Sequence, residues 1–218
     1  MSWPPETDED GFGPDDVIRA TGVSHETFGK IRAYLSVLDR WRERINLIGP
    51  GEGRHLWRRH VFDSLQLAAQ IDASEKEIVD LGSGAGFPGL VLACVVADRP
   101  GSSVALVEKS VRKSQFLEAA IAELGLPARV LNQRLEDKPP KKFDLATARA
   151  LAPLPQLLGY GYQWLKPSGK ALLVKGRGAV EELTLARESW TFDLSSRASQ
   201  SSLEGQILTV SELGPRRA

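Results

Sequence analysis

The segment VDLGSGAGFPG, residues 79 to 89, places four glycines within eight positions, directly behind an apolar run. One glycine suffices for a turn. Gly82, Gly84, Gly86 and Gly89 together let the backbone turn sharply and approach a ligand where a β-carbon would collide. Pro88 suits the first turn of a following helix, where its missing N–H costs nothing. Gly84, Gly86 and Gly89 have the G-x-G-x-x-G spacing of a dinucleotide site, and Glu108, ending the next apolar run, is placed to accept hydrogen bonds from ribose hydroxyls. No Lys-Ser or Lys-Thr pair completes the glycine loop, so a P-loop is excluded. Asp80 bears on the two ligands that remain. A pyrophosphate disfavours further negative charge nearby, whereas a cofactor with an amino-acid moiety can use a carboxylate that fixes the loop or meets its ammonium group. S-adenosylmethionine (SAM) therefore fits better than NAD, which spacing alone leaves open.

Other side chains suited to chemistry lie on either side of this loop. Arg149 follows the apolar run FDLATA, and a guanidinium at the end of such a strand needs either a ligand or a structural ion pair with Asp144 or Asp80. Lys175 closes the next run and shares that rim. His60 and Asp63, three apart, can share a helical face and hydrogen-bond, as neighbours of the site or as a local brace. Asn46 stands where the first long helix fades, as a cap or reaching the site. With three histidines and one cysteine, no Ser-His-Asp or Cys-His arrangement emerges. The single cysteine, Cys94, rules out a disulfide framework or a four-thiolate zinc site, and it reads as a buried hydrophobe; no metal is expected.

The formal net charge of zero hides an asymmetry. Residues 1–16 carry six acids and no Lys or Arg, which leaves 28 basic against 22 acidic residues in the remainder. The basic residues cluster. Between positions 40 and 60, Arg40, Arg42, Arg44, Arg54, Arg58 and Arg59 face only Glu43 and Glu52. Arg54, Arg58 and Arg59, with Arg112 and Lys113 further on, are candidate phosphate contacts, although an ordinary solvated helix face has the same composition. The N-terminus has no positively charged or apolar leader, and no apolar run approaches about 18 residues, so a cytoplasmic chain without a membrane span is expected.

The elements that must position these residues follow from periodicity. At 218 residues one main domain is expected. Residues 1–15 lack periodicity and are expected to be a mobile acidic N-terminus. Residues 16–72 are expected to form a helical extension packed on the core: a long helix from an N-cap at Ser24, with Phe28, Ile31, Leu35, Leu38 and Ile45 on one face, fading near Asn46, then a Gly/Pro break and a second helix carrying Leu56, Val61, Leu65, Ala68 and Ile71. From residue 73 to 218, short apolar runs alternate with helix-length segments. The pattern predicts an α/β fold with a mostly parallel sheet covered on both faces, and its last two strands, TFDLS and GQILTVSE, pairing antiparallel at the edge. With intrachain partners for both faces and the edge, a monomer is expected.

The run Ile78 to Gly89 resembles the SAM-binding loop of the bacterial small-subunit ribosomal RNA guanine-N7 methyltransferases, the glucose-inhibited division protein B family. The resemblance extends over residues 30–176. It includes Asn46-Leu47, Arg59-His60 with Asp63-Ser64-Leu65, Glu108-Lys109 with Arg112-Lys113, Arg134 with Glu136, Ala148-Arg149-Ala150, and Lys175-Gly176, in the family's order. Ile48 departs from the threonine common there. The resemblance implies a Rossmann-like SAM-dependent methyltransferase with a seven-stranded sheet, acting on N7 of a single guanine in 16S rRNA, either free or in the small ribosomal subunit, and not on DNA. It further implies that Asp80, Gly82, Ser83, Gly84, Gly86, Phe87, Glu108, Arg134, Leu135, Glu136 and Arg149 border the cofactor, with the 134–136 stretch beside the adenine. Asn46, His60, Asp63 and Arg149 would then line the active site, and Lys175 would join the RNA contacts. Three readings remain open: a SAM-dependent enzyme acting on a small molecule or protein, an NAD-dependent oxidoreductase, and a noncatalytic RNA-binding protein.

Overall fold

The computed structural model describes residues 3–49 and 51–216. Its centre is a seven-stranded sheet built from β1 (Glu77–Leu81), β2 (Ser103–Val107), β3 (Ala128–Leu131), β4 (Phe143–Arg149), β5 (Leu165–Lys175), β6 (Trp190–Ala198) and β7 (Gln206–Pro215), in the order β3-β2-β1-β4-β5-β7-β6. The first five strands are parallel, and β7 pairs antiparallel with both β5 and β6, as the alternation predicts. The strand order reverses between β1 and β4. Chains leaving the carboxyl ends of these two strands diverge there and open a crevice.

The helices are α1 (Pro14–Thr21), α2 (His25–Arg42), α3 (Asp63–Ala68), α4 (Gly89–Val96), α5 (Val111–Leu124), α6 (Leu154–Trp164) and α7 (Ala179–Ser189). Because β side chains alternate, the strands feed two separate cores. Ile78, Val104, Leu106 and Leu145 pack on one face with α2 to α5, and Val79, Leu81, Ala105, Val107 and Ala146 pack on the other with residues of α6 and α7. Cys94 is buried on α4, as expected, and burial pushes its thiol up to about 12.

The N-terminal part differs from expectation in four ways, the first being α1, which precedes the two helices expected. The first long helix is capped by Ser24, whose side chain accepts from Thr27 N–H, but it ends at Arg42 rather than near Asn46. The second stretch is not a single α-helix: Leu56–Phe62 forms a π-helical turn that runs into α3. The acidic N-terminus, expected to be mobile, is packed from Trp3 onward. Asp8 is 3% exposed and its two carboxylate oxygens accept from the backbone N–H groups of Trp57 and Arg58, at 3.0 and 2.8 Å. Trp57 Nε1 donates to Pro5 O at 2.8 Å, and the Phe12 ring lies 5.4 Å from Phe62. A buried carboxylate on N–H groups at a helix start replaces the missing apolar period, since those donors have no partner within the helix.

Candidate active site

The glycine loop is held from beneath by Asp80. In β1, alternation turns this residue towards α4, where it is 1% exposed. Oδ2 accepts from Gly89 N–H at 3.2 Å, and Oδ1 accepts from the Thr147 hydroxyl at 2.8 Å, across the β1–β4 register. Burial raises its pKa to about 6 against these hydrogen bonds. Of the two roles open to Asp80, its position is that of the loop brace. Ser83, also buried, donates its hydroxyl to Asp80 O at 3.1 Å. Tyr34 of α2 donates to Ala85 O at 2.6 Å and ties the helical extension to the loop.

The glycines divide their work. A β-carbon on Gly82 would lie 2.6 Å from Leu151 Cδ1, and one on Gly86 2.6 Å from Leu90 Cδ1, so these positions serve close packing. Gly84, at φ +56°, meets only Gly82 O, at 3.8 Å, and its N–H donates to Glu108 Oε2 at 3.0 Å. Glu108 Oε1 accepts from Ser110 N–H at 2.8 Å.

Gly82, Gly84 and Glu108 wall a cleft of about 460 Å³, with Lys113, Arg134, Leu135, Glu136, Leu151 and Tyr160 also lining it. Its outer wall is tied together: Tyr160 donates to Glu136 Oε1 at 2.8 Å, and Trp164 Nε1 donates to Leu135 O at 3.0 Å. Beyond Gly82 and Gly84, which it shares, lies a smaller cavity of about 150 Å³ lined by Leu47, Ile48, His60, Ser83, Phe87 and Arg149.

Arg149 dominates the small cavity. Asp144 accepts from Lys166, and Asp80 is engaged as above, so neither carboxylate forms the structural ion pair left open by the sequence. Arg149 Nη1 donates to Arg59 O at 3.1 Å, and Nη2 lies 2.7 Å from His60 Nδ1. Burial, then the charges of Arg149 and Arg59, lower the His60 pKa to about 3. The imidazole is therefore neutral, with Nδ1 accepting from Arg149 and the proton on Nε2. Both His60 Nε2 and Arg149 Nε are buried without a hydrogen-bond partner; the Glu52 carboxylate stands 3.5 Å from Nε2. Next to Arg149, Ala150 has φ +48°, strain at a strand end that also carries the site.

Several expected site residues lie elsewhere. Asp63 does not pair with His60, because the π-helical turn between them breaks the three-residue spacing of an α-helix. It accepts instead from Ser199, at 3.0 Å, from Ser201 and from Gln66, bracing the β6–β7 connection. Asn46 is exposed; Leu47, Ile48 and Gly49 wall the small cavity in its place. Gly86 lines neither cavity. Lys175, expected at RNA, pairs with Glu182 at 2.7 Å and donates to Ala152 O at 3.1 Å. Lys113 lies in the large cleft, while Arg112 and Arg59 are exposed. Arg54 and Arg58 are at the surface but bound to acids of the N-terminal segment, Glu9 and Asp10. The sequence reading missed Tyr34, Thr147, Leu151 and Tyr160; the only available signal for Thr147 was a hydroxyl interrupting an apolar strand.

Comparison with known proteins decides the family. The model of the GidB family, rRNA small subunit methyltransferase G, matches residues 27–209. This chain belongs to the rRNA small subunit methyltransferase G family. It is 42% identical over 207 residues to the ribosomal RNA small subunit methyltransferase G of Paramagnetospirillum magneticum, covering 95% of this chain and 99% of that one. It is 43% identical over 198 residues to the counterpart in Parvibaculum lavamentivorans, covering 89% and 88%. The fold is shared more widely. An O-methyltransferase from Bacillus cereus in complex with SAH superposes with a TM-score of 0.57 at 14% identity, over 90% of this chain and 96% of that one. A ribosomal protein L11 methylase from Lactobacillus delbrueckii superposes at 0.56 and 20% identity, over 75% and 80%.

The cleft of this family member fits SAM on its own geometry. Gly84 leaves open space where a β-carbon would stand, and the Glu108 carboxylate is placed to accept from ribose hydroxyls. The apolar walls, Leu135 and Leu151, suit an adenine, and Arg149 and His60 line the cavity just beyond the loop. Among the described residues no group of three or more His, Cys, Asp or Glu could hold a metal ion, and no helix is long and apolar enough to cross a membrane.

Proposed function

We propose that the protein methylates N7 of a single guanine in 16S rRNA, in the cytoplasm, with SAM as methyl donor. When bound, SAM supplies an electrophilic methyl group on a sulfonium. Transfer of that methyl to N7, with the carbon–sulfur pair leaving on sulfur, would put the positive charge on the guanine ring. N7 presents an unprotonated lone pair, so no residue has to remove a proton. The state of His60 agrees: its Nδ1 lone pair is engaged by Arg149 and its pKa is about 3, so it is unsuited as a base and serves as part of a fixed polar wall. What this chain contributes is position. Asp80 and Tyr34 hold the loop, Glu108 and the 134–136 stretch hold the cofactor, and Arg149 presents buried donors where the target base enters. Holding two reactants in line can account for about 7–11 kcal/mol of barrier at the upper end.

The observation that carries this reading is the small cavity at the β1–β4 crevice, lined by Arg149, His60 and the glycine loop, where Arg149 Nε and His60 Nε2 are buried without a hydrogen-bond partner. A cavity of this kind suits an unstacked base, as base-modifying enzymes require. The test is transfer of tritiated methyl from SAM to small ribosomal subunits, free 16S rRNA and a tRNA control, with label mapped by cleavage at N7-methylguanine. Label at one guanine of the small-subunit RNA is expected. Cofactor binding without RNA label would overturn the substrate and direct the search to small-molecule or protein acceptors.

A further inference from the structure

The basic patch that was to meet RNA is already occupied by the chain's own acids. Arg54 Nη1 lies 3.1 Å from Glu9 Oε1, and Arg58 Nε lies 2.6 Å from Asp10 Oδ2. The arrangement is built rather than incidental. Asp8 and Pro5 anchor the segment on Trp57 and Arg58 through the bonds described above, and Glu9 N–H donates to Arg54 O at 3.1 Å. The Arg58 guanidinium is also seated on the Phe12 ring, 4.1 Å from its centre, so the arginine stays in place whatever its polar edge binds. The two ion pairs themselves are exposed, with side-chain exposures of 64% and 54% for Arg54 and Glu9 and 30% and 46% for Arg58 and Asp10. Such pairs contribute little and exchange readily for another anion.

The patch adjoins the proposed reaction site. Arg59, next to Arg58, accepts from Arg149, and a groove of about 720 Å³ between Trp3, Glu9, Arg42 and Arg54 shares Ile48 and Gly49 with the small cavity. A strand leading away from that cavity along this groove would meet Arg42 and Arg54.

We propose that Glu9 and Asp10 are intramolecular stand-ins for RNA phosphates at Arg54 and Arg58, and that they weaken the enzyme's hold on every RNA backbone equally, so that only an RNA that also fills the base cavity stays bound. The inference rests on the rRNA reading above and adds a competitor to it. An RNA offering only its backbone must displace tethered carboxylates for each phosphate it places. The correct RNA makes the same exchange, but gains the contacts of the seated base as well. Because the acids act as built-in counterions, the patch also releases fewer salt ions when RNA arrives.

The test measures binding of the wild-type chain, Glu9→Gln/Asp10→Asn and Arg54→Gln/Arg58→Gln to a non-cognate RNA hairpin and to the small-subunit rRNA, across a salt series. The acid-to-amide variant keeps side-chain shape and leaves Asp8 in place; thermal unfolding confirms its fold, and Glu9→Gln alone serves if the double variant is unstable. Removing both acids is expected to tighten non-cognate binding about 3- to 10-fold at low salt and to steepen the salt slope by about 1 to 2, as each phosphate contact contributes roughly 0.7–0.9. Binding of the rRNA is expected to tighten by a similar factor, because both RNAs displace the same acids, so the preference between them stays the same. The arginine variant is expected to weaken binding and flatten the slope. If the arginine variant weakens binding while the acid variant changes neither affinity nor slope, the acids do not compete and the proposal is overturned, with the RNA-binding patch intact. If neither variant changes binding, RNA does not use this patch and the proposal is again overturned. Methyl transfer by the wild-type chain, measured separately, reports on the rRNA reading itself.

Discussion

The positions of Glu108 and Arg149 along the crevice were legible because each stands at the end of a parallel strand, where this architecture presents side chains to a ligand, and because Gly84 sits behind the strand between theirs. Tyr34, Thr147 and Tyr160 were not, because their meaning comes from partners far along the chain: Tyr34 meets Ala85 and Thr147 meets Asp80 only once the sheet and α2 are assembled. On the proposed reading Glu108→Ala removes the acceptor for the ribose hydroxyls, and hydrogen bonds to a charged group contribute about 1.5–3 kcal/mol. SAM affinity measured by calorimetry is therefore expected to fall about 10- to 100-fold; unchanged affinity in a folded variant would sink the role. Arg149→Met removes the buried donors of the base cavity, and single-turnover methyl transfer is expected to slow by about 10²-fold, the scale of losing one preorganised donor. A rate equal to wild type would show that Arg149 is only a tie between β4 and the Arg59 carbonyl.

Among the elements, those with clean period were readable to within a few residues, whereas those stabilised by polar contacts were not. The β1–loop–α4 unit shows the first case. Its apolar strand and glycines predict the turn, and the structure adds that Asp80 closes it by accepting from Gly89. A β-carbon on Gly89 would lie 2.6 Å from Asp80 Oδ2 and 2.9 Å from Asp80 Cβ, with both residues buried. Gly89→Ala is thus expected to force the strand and helix apart at a cost of about 3 kcal/mol, at the upper end for overpacking. For a chain of this size that lowers Tm by about 6–12 °C, with SAM affinity falling alongside; a melting curve superimposable on wild type would contradict the packing. The Leu56–Phe62 turn shows the second case. Its π-helical geometry, and the clasp of residues 3–13 upon it, depend on where the Asp8 carboxylate lands, and no periodicity encodes that. His60 and Asp63 illustrate the consequence, with α-helical spacing on paper and separate partners in the fold.

At the scale of the whole molecule, the helical extension and the sheet meet at two buried titratable groups whose effects on stability have opposite signs. His60, pressed by burial and by Arg149, has a folded pKa of about 3 against 6.5 when exposed. Between those values the unfolded chain binds more protons, so this group costs stability as pH falls from about 6.5 towards 3. Asp80, raised by burial to about 6 from 3.8, does the reverse: the folded chain holds the extra proton, so its contribution is present below pH 3.8 and is lost as pH rises through about 6. Each limiting slope is about 1.4 kcal/mol per pH unit, so the two largely cancel between pH 3.8 and 6 and a wild-type profile alone reveals neither. Differences separate them. The stability of wild type relative to His60→Gln, from denaturant unfolding at a series of pH values, is expected to fall as pH drops from 7 to 4. Relative to Asp80→Asn it is expected to rise over the same range. Parallel curves in the first comparison would mean that His60 titrates normally in the folded chain, and with it would go the neutral, Arg149-bound imidazole on which the base cavity is built.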